Sequence, residues 1–209
     1  MSERDAETYD RLLAAGARLF AARGFKDVTV REICRAARAN VAAVNYHFGD
    51  KLGLYREVLG KAIETMQATT EAARQAGAGL QPEQQLRAYV RVFLQRVVAQ
   101  GGDSWIHQLM MREMADPTPA IDLVFDQVVR PRLAYLSDVV ADILGLNADD
   151  EDVLRSVLSI QSQCHAAMPN PMSKRLVRDL TGDTKLGELA DHIADFSIGG
   201  LHAVARQTT

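Results

Sequence analysis

Apolar positions recur at intervals of three and four along nearly the whole chain. Strict apolar–polar alternation bounded by hairpin turns, the mark of half-buried strands, is nearly absent, and the pattern predicts an all-α protein. Leu13, Ala17 and Phe20, with Leu12 and Leu19 beside them, line one face of a first helix, and Gly24 is suited to close it in a left-handed conformation. Thr29-Val30-Arg31-Glu32 has the Thr-x-x-Glu form of a capping box, so a second helix is expected from near Val30 to near Ala37. After the short turn Arg38-Ala39-Asn40, Asn40 is placed to cap a third helix, Val41 to His47, barely two turns long. Gly49-Asp50 interrupts, and a long fourth helix follows to about Gln75, ahead of Gly77-Ala78-Gly79. Further helices are expected over about Pro82 to Gln100, Ser104 to Ala115, Thr118 to Leu144, Asp149 to Met168 and Leu186 to Arg206. Pro131 should kink or split the third of these, and Pro169 to Asp183 reads as a loop.

Composition narrows the class. Of 209 residues 47% are apolar and 24% charged, as in a folded globular protein large enough for a small domain and a larger one. No run of apolar residues is long enough to span a membrane. The acidic first ten residues are unlike a secretory signal, so no membrane partner and a cytoplasmic location are expected. Cys34 and Cys164 sit in no ligand spacing, which suggests neither a disulfide framework nor a metal site; both read as buried small apolar side chains.

The net charge of −3 hides an uneven distribution. Arg11 to Lys61 holds ten Lys or Arg against four acids, whereas the chain from Ala62 onward is acidic. Two short helices joined by a three-residue turn, preceded by a longer helix and lying in this basic third, match a helix-turn-helix. Ile33, Ala36, Ala37, Val44 and Phe48 would form the small core that sets the interhelical angle. The other face of the third helix then offers Ala42, Ala43, Asn45, Tyr46 and His47 to a major groove. Asn45 has the chemistry to bond an adenine edge in bidentate fashion. Thr29, Tyr46, His47 and Lys51 are suited to phosphates, and Asn40 completes the candidate set. The plainer alternative is a helical corner with a solvated basic face.

Three runs together resemble the N-terminal domain of TetR-type regulators. They are Leu19-Phe20-Ala21-Ala22-Arg23-Gly24-Phe25, Thr29-Val30-Arg31-Glu32-Ile33 and Asn45-Tyr46-His47-Phe48-Gly49-Asp50-Lys51-Leu52-Gly53-Leu54-Tyr55. Arg112-Glu113 ahead of Asp116-Pro117-Thr118-Pro119, with Arg130-Pro131 later, is similar to the CecR-type subgroup. The resemblance implies a helix-turn-helix domain over residues 1–50 and a regulatory and dimerisation domain over residues 51–209. One departure is Arg38, where the family's motif has glycine; a positive φ there would cost a non-glycine residue about 1 kcal/mol, and Arg38 would gain a phosphate contact in return.

A single helix-turn-helix reads few base pairs, so a dimer placing two units about 34 Å apart on a palindromic operator is expected. The segment Asp149 to Met168 carries two apolar stripes, Val153, Val157, Ile160 and Cys164 on one side and Leu154, Leu158, Gln161, His165 and Met168 on the other. The first stripe, with Leu189, Ile193, Phe196 and Gly200 of the last helix, is the expected dimer surface; completion of a protomer core is the alternative. Around Gln161, His165 and Met168 the family resemblance would place Trp105, Leu109, Met110, Glu113 and Phe125 as a small-molecule pocket. Each also has a plainer reading: core filler for the tryptophan and methionines, an interface hydrogen bond for His165, an ion pair for Glu113.

Catalytic motifs are missing: there is no phosphate loop, no GxSxG, no HExxH, and Cys164 and His165 point about 100° apart on their helix. No cofactor is expected. The chain is therefore read as a homodimeric repressor, not an enzyme, that binds double-stranded operator DNA and is released by a small-molecule effector through its fourth helix. The alternative is a helical homodimeric interaction protein, or a regulator that no longer answers an effector.

Overall fold

The computed structural model describes residues 3–98, 104–168 and 183–208, and every regular element among them is helical. In chain order these are α1 (Glu3–Arg23), α2 (Val30–Ala37), α3 (Val41–Phe48), α4 (Lys51–Gly77), α5 (Pro82–Val98), α6 (Trp105–Ala115), α7 (Ile121–Val124), a π-helical turn (Phe125–Val129), α8 (Arg130–Leu144), α9 (Glu151–Ala166) and α10 (Asp183–Thr208). Local chemistry sets several ends. Gly24 adopts φ +83° and its N–H returns to the Phe20 carbonyl at 2.7 Å, ending α1 as its sequence position implied. Gly145, at φ +70°, ends α8 in the same way.

The stretch Thr118 to Leu144 divides more finely than a single kinked helix. Proline lacks an N–H and its ring collides with a carbonyl one turn back, so an α-helical ladder cannot run through Pro131 unbroken. The chain widens into the π-turn just before it and restarts, with Pro131 in the first turn of α8, where no N–H is required. The segment 169–182, expected to be loop, lies outside the described residues.

Two compact units result, one of residues 1–65 with 103–125, the other of residues 66–102 with 126–209. The first gathers α1, α2, α3, the start of α4 and α6 around Leu12, Phe20, Val28, Ile33, Val44, Leu54, Tyr55 and Leu109. Ala36, expected in the small core of the helix-turn-helix, is exposed; Cys34 takes the inward position. α6 thus belongs to the same unit as the helix-turn-helix. Arg112 donates to the carbonyls of Ala21 and Ala22, which would otherwise be unpaired at the C-terminal end of α1.

The second unit buries Leu86, Tyr89, Val90, Phe93 and Leu94 of α5 against Leu136, Val139 and Val140 of α8, with α9 and α10 completing the core. Arg87–Asp195 and Arg91–Asp191, each 2.6 Å, tie α5 to α10 along the exposed margin. Here one expectation is corrected. Val153, Val157, Ile160 and Cys164 are at most 2% exposed in the single chain, so they have no area left to lose on meeting a copy. Ile193 is likewise internal and Leu189 packs against the same core, whereas Phe196 and Gly200 stay exposed. A helix apolar on two faces turns its β-branched stripe to its own protomer, and the exposed stripe on α9 is Leu154 and Leu158.

Candidate nucleic-acid interface

The helix-turn-helix is built from reciprocal backbone caps. At the start of α2, Glu32 N donates to Thr29 Oγ1 at 3.3 Å and Thr29 N donates to Glu32 Oε2 at 2.8 Å, closing the capping box. Arg23 donates to the other carboxylate oxygen at 2.7 Å. These donors, Arg23 before Thr29, lower the Glu32 pKa to about 2. At the end of α2, Arg38 takes φ 52° and ψ 45°, the one non-glycine residue at positive φ among the described residues. Its N–H bonds the Arg35 carbonyl and that of Ala39 bonds Cys34, which reverses the chain. Asn40 Oδ1 then accepts from Ala43 N at 2.8 Å and starts α3.

The joint from α3 to α4 is tighter. Asp50 Oδ1 accepts from Gly53 N at 2.7 Å, and a Cβ added to Gly53 would lie 1.9 Å from the Phe48 carbonyl oxygen. Gly53 therefore serves close backbone approach, whereas Gly60 faces open space and has no such role.

Val44 is fully buried beneath α3, while Ala42, Asn45 and Tyr46 project outward, Tyr46 at 74% exposure. Arg38, Asn40, Ala42, Ala43, Tyr46 and His47 line an open groove of about 640 Å³ together with Asp5, Thr8 and Arg11 of α1. Thr8 and Arg11 were not legible from the motif, because only tertiary packing brings α1 alongside α3. Arg11 is steered by Glu7, one turn away at 3.0 Å.

Three candidates are less free than their residue types imply. The Thr29 hydroxyl is engaged by Glu32. The His47 ring packs edge-on against Tyr46 and Tyr9. Lys51 lies 4.4 Å from the Phe25 ring centroid and donates to the Lys26 carbonyl at 3.5 Å; burial lowers its pKa, offset by Asp27 and Glu32. Of these three only His47 lines the groove, and Asn45 and Tyr46 are the exposed polar groups of α3.

The candidate ligand residues divide between the units. Trp105, Leu109, Met110, Glu113 and Phe125 fall in the first, Gln161, His165 and Met168 in the second. Leu109 and Glu113 are corrected to internal roles. Leu109 is wholly buried, and Glu113, 2% exposed, accepts from the Tyr55 hydroxyl and from Thr118 N and Oγ1, the latter two at 3.1 Å. Burial and then Glu113 raise the Tyr55 pKa, so that hydroxyl stays a donor. Trp105 and Met110 are half-buried and Phe125 is exposed. In the second unit, Gln161 Nε2 bonds the Tyr89 hydroxyl at 2.6 Å, and His165 packs edge-on to Phe93 while its Nδ1 meets the Gln161 carbonyl at 2.7 Å.

Comparison with known proteins identifies the architecture. Residues 12–58 match the model for bacterial regulatory proteins of the tetR family, and residues 82–201 match the C-terminal domain of the HTH-type transcriptional dual regulator CecR. The chain belongs to the TetR family, with a CecR-type C-terminal domain. It is 30% identical over 151 residues to the HTH-type transcriptional dual regulator CecR of Shigella flexneri, covering 67% of this chain and 66% of that protein. It is 35% identical over 66 residues to the probable HTH-type transcriptional regulator YttP of Bacillus subtilis, 32% of each chain. The chain thus spans less than two thirds of either relative's length.

Solved structures share the fold. The fatty acid degradation regulator FadR of Bacillus halodurans aligns with TM-score 0.64 at 18% identity, covering 93% of this chain and 96% of that one. A putative fatty acid metabolism regulator of Clostridium perfringens aligns with TM-score 0.68 at 15% identity, covering 91% and 97%. TetR-family proteins are transcriptional regulators rather than enzymes. Among the described residues, no cluster of His, Cys, Asp or Glu could hold a metal, and no helix is long and apolar enough to cross a membrane.

Proposed function

We propose that this TetR-family chain is a cytoplasmic, homodimeric repressor that binds a palindromic operator through α3 and releases it when a small-molecule effector binds the second unit. The observation that carries the reading is the presentation of α3. A helix of eight residues is seated on Val44, with His47 and Phe48 against Tyr9, is capped by Asn40, and turns Ala42, Asn45 and Tyr46 outward beside Arg11 and Arg38. Small residues permit close approach to base edges, Asn45 supplies the paired donor and acceptor that adenine presents, and the arginines supply phosphate attraction.

Two copies are needed to read successive grooves. Leu154 at 46%, Leu158 at 62% and Phe196 at 67% exposure are the large apolar side chains that α9 and α10 leave uncovered, and Gly199 and Gly200 beside Phe196 allow backbones to approach. This surface replaces the inward stripe as the proposed dimer contact.

The test is fluorescence anisotropy on operator fragments selected from genomic DNA, at several salt concentrations, with mass measured in parallel. Asn45→Ala should cost about 1–3 kcal/mol at one base position and relax specificity there, whereas Arg11→Ala should weaken all sequences alike and flatten the salt slope. Leu158→Asp should yield monomers with non-specific affinity only. A monomeric wild type, or duplex binding indifferent to Asn45, overturns the proposal.

A further inference from the structure

Inside the second unit, Arg132 of α8 is part-buried and, among the described residues, has no counter-charge. Its Nε donates to Thr70 Oγ1 at 3.3 Å, and its guanidinium carbon lies 5.2 Å from the Phe93 ring centroid. No ion pair among the described residues includes it. The groups that act on it electrostatically are Tyr89 and Cys164, and burial holds both in their neutral forms: the Tyr89 hydroxyl is pushed far up and the Cys164 thiol up to about 12. Burial also lowers the Arg132 pKa itself, but a guanidinium keeps its proton in any protein setting.

The surroundings are those of an unfinished polar site. Gln161, 6% exposed, bonds Tyr89 through Nε2 while its buried Oε1 has no partner among the described residues. The His165 ring packs edge-on to Phe93; although part of the residue is exposed, desolvation of the ring, with Arg132 acting in the same direction, lowers its pKa despite the bond to the Gln161 carbonyl. His165 therefore adds no second positive charge at neutral pH. A guanidinium that loses water without gaining a counter-charge is costly, and an anion at its open end would offset that cost.

We infer that Arg132 is the anchor of the effector site and that it receives a monocarboxylate, the apolar remainder of the ligand lying against Phe93 and His165. This rests on the effector-responsive reading above and specifies its chemistry. With Nε taken by Thr70 and no hydrogen bond to the terminal nitrogens among the described residues, these form a planar end-on fork whose spacing matches the two oxygens of a carboxylate. One fixed positive charge, with His165 neutral, balances a monoanion and leaves a phosphate dianion half-neutralised. The unpaired Gln161 oxygen awaits an N–H or O–H donor, so a hydroxy- or amino-substituted carboxylate satisfies both groups.

The test is calorimetric titration of the full chain with benzoate, salicylate, phenylacetate and octanoate, each beside its primary amide, and with phenyl phosphate. Wild type is compared with Arg132→Met and Arg132→Lys. At least one carboxylate should bind at millimolar concentration or below, at least tenfold more tightly than its amide or than phenyl phosphate. Arg132→Met should abolish that preference, and Arg132→Lys, which keeps the charge and loses the fork, should weaken it. Without ligand, Arg132→Met should melt no lower than wild type, because an unpaired charge has been removed. Carboxylates no better than amides, a preference that survives in Arg132→Met, or no binding by any carboxylate overturns the inference. Operator release by an uncharged compound would sink the carboxylate anchor while leaving the effector-responsive regulator intact.

Discussion

Glu113 in the first unit and Gln161 in the second are both polar, both on helices and both almost wholly buried, yet their surroundings are opposite. Glu113 accepts three hydrogen bonds from Tyr55 and Thr118 that bind α6 and the segment after it to α4. The Gln161 side chain keeps one bond, to Tyr89, and an oxygen with no partner among the described residues, in the unit that holds Arg132. A buried polar network that is complete stiffens its surroundings, whereas one left incomplete carries an uncompensated desolvation cost. The contrast separates a fully satisfied platform beneath the helix-turn-helix from the unit in which the proposed effector site lies.

The comparison breaks first at its centre. Glu113→Ala should destabilise the protein by roughly 2–4 kcal/mol, because a cavity opens and the Tyr55 and Thr118 donors lose their acceptor, whereas Gln161→Leu, which takes a partner from the Tyr89 hydroxyl alone, should cost only about 1 kcal/mol. Denaturant unfolding of the two variants measures both; equal losses would erase the distinction. Next in size, Gly53→Ala should cost about 2 kcal/mol or more by forcing α4 away from the Phe48 carbonyl, while Gly60→Ala on the same helix should gain up to about 1 kcal/mol.

Smaller effects sharpen the picture of the platform. Thr29→Ala should cost about 1 kcal/mol through loss of the capping box. The Glu32 pKa falls from the usual carboxylate range to about 2 on folding, so its stabilising effect is complete above the unfolded-state value. It is lost as pH drops toward 2. Wild type and Glu32→Gln should accordingly differ in melting temperature at neutral pH and converge at the acid end. Smallest, Arg38→Gly should stabilise by about 0.5–1 kcal/mol by relieving the left-handed backbone. If Arg38 also contacts a phosphate, the same variant lowers the salt slope of operator binding by about one.

Features written in consecutive residues are legible in the amino-acid sequence itself. The capping box at Thr29, the Asn40 cap and the Gly24 stop all depend on atoms within four residues of one another, whereas the left-handed Arg38 is expected only from the family's glycine at that position. That is why the helix-turn-helix and its outward residues could be placed from the sequence. The two stripes of α9 are equally visible there, but periodicity says only that both are apolar, not which one the protomer's own α5 and α8 will cover. Likewise Arg11 beside α3, Glu113 beneath Tyr55 and Arg132 against Phe93 join residues about 30 or more positions apart. The sequence alone determined the helices, their ends and the exposed reading element, because hydrogen bonds within one turn decide them. Which faces were buried, which charges were answered and which were left open was settled only by tertiary packing, where the partner of each side chain is chosen by the whole fold.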